Sequence, residues 1–152
     1  LPVENPILLK KMYLTHSKGT EMEMRYGIPA RTMSEDQKVI ELVSIGLADV
    51  GNRKWIVKPI ILKREDVVDV IANKSSATYT IVADKQTGKP IWGAKVNIYS
   101  RRTEEKRKVT NFIRTTLNED DTDNLENLPD CPVGSRPISV DQVPDIFFDV
   151  QA

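Results

Sequence analysis

VADKQTGKPIWGAKVNIY, residues 82–99, reads as the end of one β-strand, a turn and the start of the next. The run before it, ATYTIVA, is rich in the β-branched and aromatic residues that suit a pleated, half-buried surface. DKQTGKP has turn chemistry: Gly88 supplies backbone freedom and Pro90 fixes the exit. IWGAKVNIY then alternates, with Val96 and Ile98 on one face and Asn97 and Tyr99 on the other. Gly93 inside that strand marks a bulge or a close backbone approach. The stretch is therefore scaffold rather than site.

Working outward, RRTEEKRKVTNFIRTT reads either as a hairpin arm returning beside IWGAKVNIY with TEE at its tip, or as a helix capped by Thr103. Thr110, Thr115 and Thr116 favour the strand, because β-branched side chains are restricted at χ1 in a helix. Upstream, REDVVDVIANKS places Val67, Val70 and Ile71 on one helical face behind leading acids. KWIVKPIIL is strand-like, but Pro59 lacks an N–H and belongs on an edge or at a bulge. MSEDQKVIELVSIGL carries a helix-start signature from Ser34, with Gln37 in the capping-box position, over an alternation from Val39 to Leu47. It predicts about two helical turns that pass into a strand, paired with KWIVKPIIL through Gly51-Asn52. At the start, PILLKKMYL and TEMEMRY flank HSKG and predict a hairpin turning at Lys18-Gly19.

The spacing of Asp84, Thr87, Gly88, Pro90, Ile91, Gly93, Ala94, Val96 and Ile98 resembles a turn-and-strand unit of carboxypeptidase-regulatory-like and bacterial macroglobulin-type β-sandwich domains. The resemblance implies an immunoglobulin-like sandwich and carries no function with it. The expected fold is mainly β, a β-sandwich of about seven strands with two short helices, and α+β is the alternative. Its expected core is Leu9, Met24, Val43, Trp55, Val57, Ile61, Val70, Ile81, Trp92, Val96 and Ile98.

A chain of 152 residues suffices for one core. No apolar run approaches the roughly 18 residues of a membrane-spanning helix. The opening LPVENPILLKK lacks the plan of a signal peptide, and its first residue is Leu, so a trimmed product is expected. Charge is divided unevenly: residues 1–116 hold 21 Lys and Arg against 13 Asp and Glu, whereas residues 117–152 hold only Arg136 against nine acids. With the Asn- and Pro-rich composition after Asn118, this divides the chain into a basic β-rich domain, 1–117, and an acidic extended arm, 118–152, ending in a docking strand.

Few residues carry a recognisable chemistry. His16 is the sole histidine, which leaves no histidine pair for a metal and no base for a serine triad. Cys131 is the sole cysteine, so no internal disulfide forms and a reducing compartment is expected, intracellular (cytoplasmic) or within a virion. The acid pairs Glu35-Asp36, Glu104-Glu105 and Asp120-Asp121 fall in helix-start, hairpin-tip and loop positions where acids are ordinary. Asp120, Asp121, Asp123 and Glu126 lack the glycine and spacing of a calcium loop. No phosphate-binding or nucleophile-elbow pattern occurs, and neither cofactor nor metal is expected.

Two features remain. Arg101, Arg102, Lys106, Arg107 and Lys108, followed by Arg114 and flanked by Tyr99 and Phe112, combine charges for phosphates with rings for bases. The plainer reading is a solvated arm whose charges pair with Glu104, Glu105 and the acidic segment. In PDIFFDV, Ile146, Phe147, Phe148 and Val150 among acids suit either a strand that docks on a partner's sheet edge or a terminal core strand. The expectation is a non-enzymatic structural or interaction protein that assembles with itself or another protein, as in a viral or phage matrix, shell or tail. A single-stranded nucleic-acid-binding protein with the acidic arm as competitor is the alternative, and an enzyme with an unrecognised site comes third.

Overall fold

A computed structural model describes residues 23–37, 39–72, 77–103, 108–115 and 124–150. The first strand and turn of the predicted N-terminal hairpin, Leu9 and His16 lie outside these residues, whereas Met24, Arg25 and Tyr26 of its second strand open the first strand of the sheet. The protein is mainly β. Six strands, β1 (Met24–Met33), β2 (Ile40–Asp49), β3 (Lys54–Lys63), β4 (Thr78–Ala83), β5 (Pro90–Thr103) and β6 (Lys108–Thr115), join in the order β3-β2-β1-β4-β5-β6. Neighbours are antiparallel except β1 and β4, which run parallel after the crossover through helix α1 (Arg64–Ile71).

The opening stretch forms strand, turn and strand. Ala83 faces Pro90 across the loop, and Asp84 Oδ1 accepts the Gln86 N–H at 2.7 Å, an Asx-type turn that leads to Gly88 at φ +72°. The bulge falls where Gly93 marks it. Ile81 faces Trp92 but Tyr79 faces Lys95, so β5 carries one extra residue, and the Ala94 N–H is satisfied by the buried Thr80 hydroxyl at 2.9 Å. Pro59 lies on edge strand β3, at a second register shift where Ile45 faces Ile60 and Leu47 faces Val57.

The helix expected from Ser34 does not form. Residues 35–37 are a turn closing the β1–β2 hairpin, with Ser34 N–H on the Val39 carbonyl at 2.7 Å and Gln37 at φ 61°, outside the helical region. The alternation from Val39 onward prevails because it lets β2 bury Val43, Ile45 and Leu47 on one face.

Those residues meet Tyr26 and Ile28 of β1, Leu62 of β3, Val67, Val70 and Ile71 of α1, Val96 and Ile113. No second sheet covers this face among the described residues. The covering layer is α1, which touches β2, β3 and β6, together with the segment from Asn124 to Val150. Leu125, Leu128, Val143, Ile146, Phe147 and Val150 of that segment are all buried in the same core. Of the expected core, Val43, Val70 and Val96 are buried, whereas Met24, Trp55, Val57, Ile61, Ile81, Trp92 and Ile98 are half-buried. Trp55 lies over the other face of the sheet at Gly46, where a Cβ would stand 2.6 Å from Trp55 Cζ3.

Candidate nucleic-acid interface

The described part of the 124–150 segment is fixed by two buried side chains of β1. Arg31 donates from Nε to the Leu125 carbonyl at 3.1 Å, from Nη2 to the Glu126 carbonyl and from Nη1 to Asp130 Oδ1 at 2.5 Å. Arg31 also exchanges backbone bonds with Pro129 and Cys131, so this short run pairs with the half of β1 that β4 does not reach. Cys131 is buried beside it. Farther along, the Ile138 N–H bonds to the Ile61 carbonyl at 2.9 Å and occupies part of the β3 edge.

Tyr26 is fully buried and donates its hydroxyl to the Phe147 carbonyl, with the two rings 5.8 Å apart. Burial, aided by the negative charge of Asp149, drives the Tyr26 phenol far above its ordinary range, so it stays protonated and donating. Ile146, Phe147, Phe148 and Val150 suit, from sequence, either a strand docking on a partner or a terminal core strand; the structure packs Ile146, Phe147 and Val150 into this chain's own core, without a strand. The residues after Pro144 form a 3₁₀ turn, Asp145–Phe148, that buries Ile146 and Phe147 in this chain's own core and leaves Phe148 42% exposed. The physical reason is that a single turn directs both side chains inward while Tyr26 holds the Phe147 carbonyl.

The β5–β6 hairpin is a continuous antiparallel ladder from Val96–Thr115 to Thr103–Lys108. Tyr99 and Phe112 are direct partners, with stacked rings 5.6 Å apart at 30°. Arg114, on the diagonal, sets its guanidinium 4.6 Å from the Tyr99 ring centre, and Arg64, the first residue of α1, sets its own 4.8 Å from Phe112. The result is a chain of four flat groups, Arg64, Phe112, Tyr99 and Arg114, in which each guanidinium–ring pair is worth about 0.5–2 kcal/mol.

Arg64 is the anchored end. Its Nη1 donates to the Ile40 carbonyl at 3.1 Å and its Nη2 lies 3.4 Å from Glu65, while the buried Nε has no hydrogen-bond partner among the described residues. Arg114 is exposed. Beside this chain opens a cavity of about 660 Å³, lined by Met33, Val39, Ile40, Asn97, Ile98, Ile113, Thr115, Leu125 and Glu126 in addition to the four stacked residues. Its size falls within the roughly 300–1,000 Å³ typical of ligand pockets.

Of the nucleic-acid candidates, Tyr99, Phe112 and Arg114 come together in this wall. The backbones of Arg101, Arg102 and Lys108 continue the same ladder, pairing with Thr110, Val109 and Thr103. Lys106 and Arg107 lie outside the described residues. Arg64, Asn97 and Glu126 are additions that no local pattern in the sequence links to the cluster. Among the described residues, no three His, Cys, Asp or Glu side chains gather as a metal site would need, and no helix is long and apolar enough to cross a membrane. Searches against protein-family models, curated proteins and solved structures give no match.

Proposed function

We propose that this protein is a non-enzymatic binding module that holds a single-stranded nucleic acid along the β5–β6 hairpin and the cavity at its base. One observation carries the reading: the Arg64–Phe112–Tyr99–Arg114 chain lines a cavity at the root of a hairpin whose sequence holds five further basic residues between 101 and 108. Phosphates suit the basic arm and the exposed Arg114. The rings already stack on one another and on guanidiniums, so they stiffen the wall and present planar edges and cations to an arriving base.

The test is fluorescence anisotropy of the full chain with a labelled oligothymidylate over a range of salt. Wild type binds with an affinity that falls as salt rises. Arg101→Ala with Arg107→Ala, and separately Arg114→Ala, weaken binding and flatten the salt slope by roughly 0.7 for every phosphate no longer neutralised. A wild-type chain without salt-sensitive binding would sink the proposal.

Assembly between copies, as in a virion shell, tail or matrix layer, is the second reading. It is favoured by the opposite sheet face, where the Arg25 guanidinium lies 4.7 Å from the Tyr79 ring centre and 5.4 Å from that of Trp92. Light scattering against concentration separates the two, since this reading requires oligomers in the absence of nucleic acid.

A further inference from the structure

The cavity wall is not uniformly positive. Arg114 of β6 and Arg64 of α1 line it, but so does Glu126 of the 3₁₀ turn Leu125–Asn127. That turn is held from two sides: Arg31 grips the Leu125 and Glu126 carbonyls, and the Leu125 N–H reaches Thr115 Oγ1 at 3.4 Å. Glu126 is exposed, and it shares the wall with Arg114. A cavity built for a bare phosphate would exclude a carboxylate, whose charge repels the ligand. A cavity lined by cations and by a carboxylate-bearing residue on a held backbone suits a ligand with an anion at one place and hydrogen-bond donors at another.

A nucleotide is such a ligand, and the carboxylate chooses among the bases. Guanine offers its N1–H and N2–H side by side, so the two oxygens of one carboxylate accept both. Thymine offers one N–H flanked by carbonyl oxygens that a carboxylate repels, and adenine and cytosine each set a ring-nitrogen acceptor beside their amino group.

We propose that the cavity receives one base of the bound strand, that Glu126 makes it select guanine, and that Arg114 takes the adjoining phosphate. This rests on the nucleic-acid reading above and names the base that the same site prefers. Arg31 is a positioning residue here, acting through the backbone of Leu125 and Glu126.

The experiment titrates the full chain with oligothymidylate, with the same strand carrying a single central guanine, adenine or cytosine, and with inorganic polyphosphate. The guanine strand is expected to bind tighter than plain oligothymidylate by on the order of tenfold. Glu126→Gln is expected to remove that preference, so that within the variant the guanine strand binds no tighter than plain oligothymidylate. An unchanged denaturation midpoint shows that the variant is folded. Equal affinity for all four strands, a guanine preference that survives Glu126→Gln, or polyphosphate binding as tightly as the guanine strand overturns the inference while salt-dependent oligothymidylate binding still stands. Failure of every strand to bind overturns both.

Discussion

Phe147 and Phe148 are neighbours of identical chemistry, and the structure assigns them opposite fates. Phe147 is fully buried beneath Tyr26, whereas Phe148 is 42% exposed. Truncating a buried phenylalanine to alanine removes its transfer free energy and leaves a cavity, about 3–5 kcal/mol together. A half-exposed one loses about 1 kcal/mol or less. Total stability of a domain is about 5–15 kcal/mol, so Phe147→Ala removes a large share of it and lowers Tm by roughly 6–20 °C. Urea denaturation of the full chain, followed by the emission of Trp55 and Trp92, measures both variants against wild type, with light scattering on the same samples. Equal costs for the two substitutions would refute the reasoning. So would a Phe147→Ala chain of unchanged stability that no longer forms an oligomer seen in wild type, since this residue would then serve a partner rather than its own core.

Two further outcomes follow from the side chains of β1. Arg31→Met leaves the Leu125 and Glu126 carbonyls without their donor and should cost about 2–4 kcal/mol, with faster amide exchange across 124–131; Asp130→Asn, at a side chain 80% exposed, should cost under about 1 kcal/mol. Because burial raises the Tyr26 phenol above its ordinary value of 10.0, the unfolded chain loses that proton first as the solution turns alkaline. Stability should therefore hold below about pH 10 and fall above it. Tyr26→Phe should flatten that alkaline decline while lowering stability at neutral pH by about 1–3 kcal/mol; an alkaline decline equally steep in the variant would contradict the assignment.

Local pattern was enough for the central elements. The strand–turn–strand around Gly88, the bulge at Gly93, the edge position of Pro59, the β2–β3 hairpin through Gly51-Asn52 and the helix at 64–71 each follow from residues within a few positions of one another. Ser34 misled because a capping-box pattern and a period-two pattern overlapped, and burial of Val43, Ile45 and Leu47 decided between them. The 124–150 segment was illegible for a different reason. Its anchors Leu125, Leu128, Val143, Ile146, Phe147 and Val150 sit on 3₁₀ turns and extended chain, so they follow neither helical nor strand periodicity, and the acids between them are exposed. At the candidate site, Tyr99, Phe112 and Arg114 were visible because they are neighbours on one hairpin. Arg64 and Glu126 join them only through tertiary packing, which no single-sequence spacing encodes.

The bond from Tyr26 to Phe147 spans 121 residues, and it closes a core whose covering layer, beside α1, comes from the last stretch of the described chain. During synthesis, the sheet's buried face cannot be sealed until residue 147 has emerged. At about 5–20 residues per second, β1 waits several seconds for the segment that covers it. Through that interval Tyr26, Ile28, Val43, Ile45 and Leu47 are apolar surface available to chaperones or to neighbouring nascent chains. A chain that ends within the acidic stretch is therefore expected to be not a smaller working domain but a sticky one, because it lacks Phe147 and the rest of its cover.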